Sequence, residues 1–132
     1  MTAFVDTSAF YAALDRRDTN HERANLTWRR LIEEDFVLVT SNYVLLETAS
    51  LLQGRLGIDA VRSFQGDIVP LLQIEWVGEV SHRAAAEVNL TAGRQKLSLV
   101  DCVSFQVMRQ SGVDVAFCFD EHFREQGFQV LP

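Results

Sequence analysis

Short apolar runs alternate with longer segments of helical period along this chain, and four apolar runs end in an acid: Phe4-Val5-Asp6, Val44-Leu45-Leu46-Glu47, Leu99-Val100-Asp101 and Phe117-Cys118-Phe119-Asp120. Ala3 to Val5 reads as a buried strand, and Phe10, Tyr11 and Leu14 continue at helical spacing from Ser8 toward Arg16-Arg17. Asn20 to Glu34 is a second helix with Ala24, Trp28, Leu31 and Ile32 as its apolar stripe. Phe36 to Val39 is a second strand. Thr40-Ser41-Asn42 then offers N-caps for a helix through Val44, Leu51 and Leu52 that stops near Gly54 to Gly57. Ile58 to Ile68 supplies another helix before Pro70, and Ile74 to Val77 a third strand. Ser81 to Ala92 and Ser98 to Gln110 are helices closed by Gly93 and Gly112, Val115 to Phe119 is a fourth strand, and Phe128 to Leu131 a short edge strand.

Strands alternating with helices imply parallel pairing through right-handed crossovers, which covers a sheet on both faces. The expected fold is α/β: a three-layer α/β/α sandwich with a short, mostly parallel central sheet. At 132 residues and 48% hydrophobic content, one domain over residues 1–132 is expected. No run reaches the roughly 18 apolar residues of a membrane helix, and the start lacks a signal peptide's basic segment, so a cytoplasmic protein with no membrane partner is expected. Cys102 and Cys118 stand in separate apolar stretches and read as buried thiols, not as a disulfide or a zinc site.

A net charge of -6 argues against a protein that merely coats nucleic acid, because that binding is driven mainly by Lys and Arg on phosphates. It does not exclude an enzyme acting on nucleic acid, since divalent ions held by the acids would invert the local field. Lys96 is the only lysine among 12 basic residues; arginine suits forked contact with phosphate, and skewed genome composition explains the bias equally well.

In an open parallel sheet, ligands bind at the carboxyl ends of the strands where strand order reverses. Asp6 and Asp120 end the first and fourth strands, while Glu47 and Asp101 lie on helices able to reach the same edge. Three of the acids also have a local use, and the alternative for Glu47 is a bond to a distant arginine. Asp6 precedes Thr7 and Ser8 as a helix cap, Ser98-Leu99-Val100-Asp101 matches a capping box, and Asp120 is a third cap. Asp101 nonetheless interrupts the inward stripe of Leu97, Phe105 and Met108, and no basic residue lies within four positions of Glu47. There is no nucleophile elbow, no Walker A loop and no dinucleotide fingerprint. His21, His82 and His122 sit in polar helical or loop contexts; His122, two residues beyond Asp120, is within reach of the site, but a surface histidine is the favoured reading.

The segments Phe4 to Tyr11, Asp15, Asp18 and His21 with Ala24, Thr40 to Glu47, Leu97 to Asp101 and Ala116 to Phe123 together resemble the PIN-domain nucleases, nearest to VapC-type toxins and their stand-alone relatives. The resemblance implies a metal-dependent endoribonuclease in which Asp6, Glu47, Asp101 and Asp120 hold Mg2+ or Mn2+ and Thr7 or Ser8 adds a hydroxyl. It also implies an RNA substrate, a homodimer and a cognate antitoxin. Arg16, Arg17, Arg94, Lys96 and Arg124 flank these motifs and are the expected RNA contacts, and Tyr11 and Trp28 are candidates for a partner surface, with core packing the alternative for Trp28. Many members carry Thr or Ser two residues before the last acid, where this chain has Cys118, so a hydroxyl able to orient Asp120 is missing. The competing readings are a non-catalytic PIN-fold RNA-binding or assembly module and a phospho-receiver domain. Lys96 precedes a helix instead of ending a strand, which disfavours the receiver.

Overall fold

The computed structural model describes all residues from Met1 to Pro132. Five strands, β1 (Thr2–Val5), β2 (Val37–Ser41), β3 (Gln73–Glu75), β4 (Val115–Phe117) and β5 (Gln129–Leu131), form one sheet in the order β3-β2-β1-β4-β5. Every neighbouring pair is parallel. The helices are α1 (Thr7–Leu14), α2 (His21–Glu33), α3 (Asn42–Leu56), α4 (Ile58–Ser63), α5 (Glu79–Ala92), α6 (Leu99–Ser111) and α7 (Glu121–Glu125). The expected α/β/α sandwich is what forms.

Its layers follow from strand order. The crossovers from β1 to β2 and from β2 to β3 step one way across the sheet, while those into β4 and β5 step the other way. Right-handed connections therefore put α1 to α4 over one face and α5 to α7 over the other. The aromatic residues record this division. Register pairs Phe4 with Ala116 and Val5 with Phe117, so Phe4 and Phe117 point to opposite faces. Phe117 packs on Trp28 of α2 at 6.3 Å between ring centroids, and Phe10 of α1 meets both Trp28 and Phe64. On the other face Phe4 meets Phe123 of α7, which stacks edge-on against Phe105 of α6 at 5.0 Å. Trp28 thus belongs to the core, and Tyr11 donates its hydroxyl to Asp15 at 2.7 Å.

Side-chain bonds set several boundaries. The Thr40 hydroxyl donates to the Val5 carbonyl at 2.8 Å, and Ser41 caps α3 by accepting from the Val44 N–H at 3.2 Å. Gly112 ends α6 at φ 67°, a left-handed conformation that glycine adopts without penalty. The helix expected over Ile58 to Ile68 divides: α4 stops at Ser63, Phe64–Ile68 widens into a π turn, and Val69–Leu71 tightens into a 3-10 turn. Phe64 is fully buried against Phe10 in this wider turn, and Pro70 lacks the N–H that an α-helix would use. The fourth strand ends at Phe117 and not Phe119, because the Phe119 N–H leaves the sheet for the Ser8 hydroxyl. No helix is long and apolar enough to cross a membrane.

Candidate metal centre at the sheet's switch point

Strand order reverses between β1 and β4, and the chain leaves the top of these strands as Asp6 and as Cys118 to Asp120. The Asp6 N–H still donates to the Phe117 carbonyl at 3.1 Å, which fixes the two exits side by side. Asp101 arrives from the other face of the sheet, in the first turn of α6.

Each of these acids is a helix cap, and each caps with a single oxygen. Asp6 Oδ2 accepts from the Ser8 N–H at 3.1 Å and from the Ser8 hydroxyl at 2.6 Å. Asp101 Oδ2 accepts from the Ser98 N–H at 3.1 Å, while Ser98 Oγ accepts from the Asp101 N–H, closing the capping box. Asp120 Oδ1 accepts from the His122 N–H at 2.9 Å. The second oxygen of each carboxyl takes no protein donor, and none of the three is sealed away from solvent. Capping and ligand binding are therefore compatible here: one oxygen holds the helix and the other is uncommitted. Three helix N-termini meet at this point, and their dipoles favour negative charge.

The three carboxyls act on one another. Burial pushes the Asp6 carboxyl up to about 7, against the pull of its Ser8 bonds, and the charges of Asp101 and Asp120 add to the rise. Asp101 is also raised, first by burial and then by Asp120, while the Ser98 N–H opposes the change. No lysine or arginine pairs with any of them; their only ion-pair contact is His122 Nε2, 4.0 Å from Asp120 Oδ1.

Ligand atoms of Asp101, Asp120 and His122 lie within 4.8 Å of one another. This corrects the reading of His122 as a surface residue, since its side chain is only 15% exposed. Its Nε2 lies 3.0 Å from the Lys96 carbonyl, an acceptor that requires Nε2 to carry a proton. In that pose Nε2 has no lone pair for a metal. His122 instead ties the start of α7 to the loop before α6, holding Asp120 beside Asp101. Sequence reasoning placed His122 near the site by its two-residue separation from Asp120 but could not see the carbonyl, 26 residues upstream, that orients it.

Asp6 and Glu47 both lie outside this group of ligand atoms; Asp6 is near enough for the charges of Asp101 and Asp120 to act on it, while Glu47 is half-buried on α3. The neighbour of Glu47, Thr48, is fully buried and donates its hydroxyl to Thr7 Oγ1 at 3.1 Å, which docks the Glu47 turn of α3 onto the residue after Asp6. Thr7 Oγ1 accepts that bond, and the hydroxyl that donates to Asp6 is that of Ser8. Cys118 Sγ points to the Asp120 backbone carbonyl at 3.6 Å and not to its carboxyl, and burial pushes its thiol up to about 12. It is a packed, protonated thiol.

The expected basic contacts divide. Arg94 is paired with Glu125 at 3.0 Å and Arg124 with both oxygens of Glu121 at 2.9 Å. Arg16, Arg17 and Lys96 are exposed and have no ion pair.

A donor set of carboxylate oxygens with no lysine or arginine partner fits a hard divalent cation such as Mg2+ or Mn2+ and gives zinc or copper no thiolate. That set, at the switch point of a five-stranded parallel sheet, is the arrangement of the PIN domain. The chain belongs to that family, whose model matches residues 3–129. It is 36% identical to the 23S rRNA-specific endonuclease VapC20 of Mycobacterium tuberculosis, an alignment covering 98% of each protein. The same value holds for VapC20 from a second strain. The crystal structure of VapC20, a sarcin-ricin loop cleaving toxin, matches with a TM-score of 0.87 and 33% identity over 100% of both chains. FitAcB from Neisseria gonorrhoeae matches with a TM-score of 0.70 at 18% identity, over 100% of this chain and 97% of that one, and shows the shared fold alone.

Proposed function

We propose that this protein is a divalent-metal-dependent endoribonuclease. The observation that carries the reading is Asp101 and Asp120 brought together with Asp6 within reach of their charges, each with one oxygen uncommitted and none with a lysine or arginine partner, in a chain alike over its whole length to a ribosomal RNA endonuclease. Asp6 and Asp101 are assigned as the principal ligands of Mg2+ or Mn2+, with Asp120 and Glu47 contributing directly or through water. When bound, the ion would lower the pKa of the attacking water and neutralise charge on the phosphate and the leaving oxygen.

The chain's own residues supply orientation. Ser8 holds Asp6 Oδ2, the capping box holds Asp101, and His122 braces the Asp120 turn against the Lys96 carbonyl. Arg16, Arg17 and Lys96, being free, are assigned to the RNA backbone; Arg94 and Arg124 would first have to leave Glu125 and Glu121. Because VapC20 is specific for 23S rRNA, a structured ribosomal RNA loop met in the cytoplasm is the first substrate for this chain. A second copy of the chain and an antitoxin complete the reading as protein partners.

The test is cleavage of ribosomal RNA and of a short hairpin by purified protein with Mn2+ or Mg2+, beside Asp101→Asn. Asparagine keeps an oxygen for the Ser98 N–H and removes only the charge, so the fold stays capped while activity falls by about 10³-fold, the several kcal/mol expected of a metal ligand. Equal cleavage by the variant would point to a contaminating nuclease. Absence of cleavage in a protein that binds Mn2+ would leave the non-catalytic assembly module.

A further inference from the structure

One cavity of the molecule adjoins the acidic centre and shares only Asp120 with it. It measures about 180 Å³, and Asn20, Arg23, Phe119, Asp120, Glu121 and Arg124 contribute to its walls. It is small against the ~300–1,000 Å³ of drug-sized ligand sites, so it admits one flat group and not a folded loop. Arg23, on the first turn of α2, lays its guanidinium over the Phe119 ring with the central carbon 5.6 Å from the ring centre. Unlike Arg94 and Arg124 nearby, Arg23 has no carboxylate partner and no hydrogen bond, so all of its donors are free. Asn20 stands at the N-cap of α2, yet its side chain makes no cap hydrogen bond. An exposed cation and an amide without partners, on a plane set by an aromatic ring, have no evident role in stability.

Phe119 is not free to drift. Its N–H donates to Ser8 Oγ at 2.9 Å, and the same hydroxyl donates to Asp6 Oδ2 at 2.6 Å. The stacking plane is therefore two hydrogen bonds from the first acid, and its chain neighbour is Asp120. Charge decides what the cavity takes. Asp120 and Glu121 face Arg23 and Arg124 across it, and Arg124 is held by both oxygens of Glu121, so the lining carries no net positive charge to hold a phosphate. A neutral, flat heterocycle meets no such opposition, and a guanidinium plane is a good surface for an unstacked base.

We propose that Arg23, Phe119 and Asn20 form a base-stacking subsite that takes one unpaired nucleobase of the RNA strand beside the cleaved phosphodiester, with Asn20 reading the edge of the base. This rests on the endoribonuclease reading and adds the feature of the RNA that this chain engages: a splayed base next to the cut.

The test uses the full chain with Mn2+ and a hairpin RNA whose cut position has been mapped, together with versions carrying a single abasic nucleotide at each position flanking the cut. For the wild type, one abasic position should lower kcat/KM by about tenfold or more, the range of base stacking on a side chain. Arg23→Ala should lower kcat/KM on the intact RNA by a similar factor, chiefly through KM, and should be indifferent to that abasic position. Arg23→Lys, which keeps the charge and loses the plane, should behave as Arg23→Ala. Arg23 is exposed and has no hydrogen bond or ion pair, so an unchanged thermal midpoint certifies both variants. Cleavage by Arg23→Ala at the wild-type rate, an undiminished abasic penalty in it, or full rescue by Arg23→Lys would overturn the subsite and leave the nuclease standing. A wild type that binds Mn2+ and cuts no RNA would overturn both.

Discussion

Acids on the outer helices and acids at the top of the sheet live under opposite conditions in this protein. On the outside, Glu34, Asp59, Glu79 and Glu121 each have an arginine three or four residues away, at 2.7 to 3.0 Å. These pairs are solvated and contribute little, on the order of 0–1 kcal/mol each. At the sheet's switch point, Asp6 and Asp101 are buried, Asp120 stands beside them, and no guanidinium or ammonium comes to any of the three. The protein thus spends its arginines where charge costs least and withholds them where charge costs most. That distribution makes sense only if something else supplies positive charge at the top of the sheet, and the N-termini of α1, α6 and α7 supply part of it.

The largest effect should appear when the metal-free protein is titrated. Asp6 rises from its usual 3.8 to about 7 on folding, chiefly by burial. Between those values the folded state holds a proton that the unfolded chain has released, so the contribution of Asp6 to stability is greatest below about pH 4 and declines as pH rises toward 7. The decline is on the order of 4 kcal/mol at most, from about 1.4 kcal/mol for each pH step of the interval. Urea denaturation in EDTA at pH 5 and pH 7 measures it. Asp6→Asn should flatten the profile and be the more stable protein at pH 7, since the amide oxygen still accepts from Ser8. An unchanged slope in the variant would mean that Asp6 is not the group in conflict.

A smaller effect should follow from supplying the missing charge. Mn2+ at about one hundred times its dissociation constant stabilises a folded protein by about 2.7 kcal/mol, roughly 10 °C in thermal midpoint for a chain of this size. Asp101→Asn should lose most of that gain. If Mn2+ shifts the midpoint of parent and variant equally, the ion binds elsewhere and the contrast between the two groups of acids has another cause.

What the sequence disclosed divides by the range of the interaction. Asp6 closing Phe4-Val5, and Asp101 cutting the stripe of Leu97, Phe105 and Met108, are local conflicts between charge and pattern, so they are visible without a fold. The alternation of strands and helices is local too, and with the handedness of crossovers it yields the layers. Contacts between distant segments were out of reach. The Lys96 carbonyl that turns His122 inward, the Ser8 hydroxyl that draws Phe119 off β4, and Phe10 packing on Phe64 where the helix after Ile58 widens all come from other parts of the chain. Arg23 was invisible for the same reason. In the sequence it is one of many arginines, and only the ring of Phe119, which comes from beyond β4, distinguishes it.

The smallest prediction concerns the outer acids and serves as the control for the rest. Glu79 and Arg83 form an i,i+4 pair on α5, with side chains 75% and 76% exposed. Such a pair stabilises a helix by about 0.3–0.5 kcal/mol and is screened by salt. Arg83→Ala should therefore lower stability by no more than that, an amount that shrinks further at high ionic strength, because Glu79 regains water instead of being left buried. It should leave the pH profile, the Mn2+ shift and RNA cleavage as they are in the parent. A loss of several kcal/mol, or any change in the response to Mn2+, would show that outer and inner acids share one electrostatic network. The separation between structural charge on the helices and functional charge on the sheet would then dissolve.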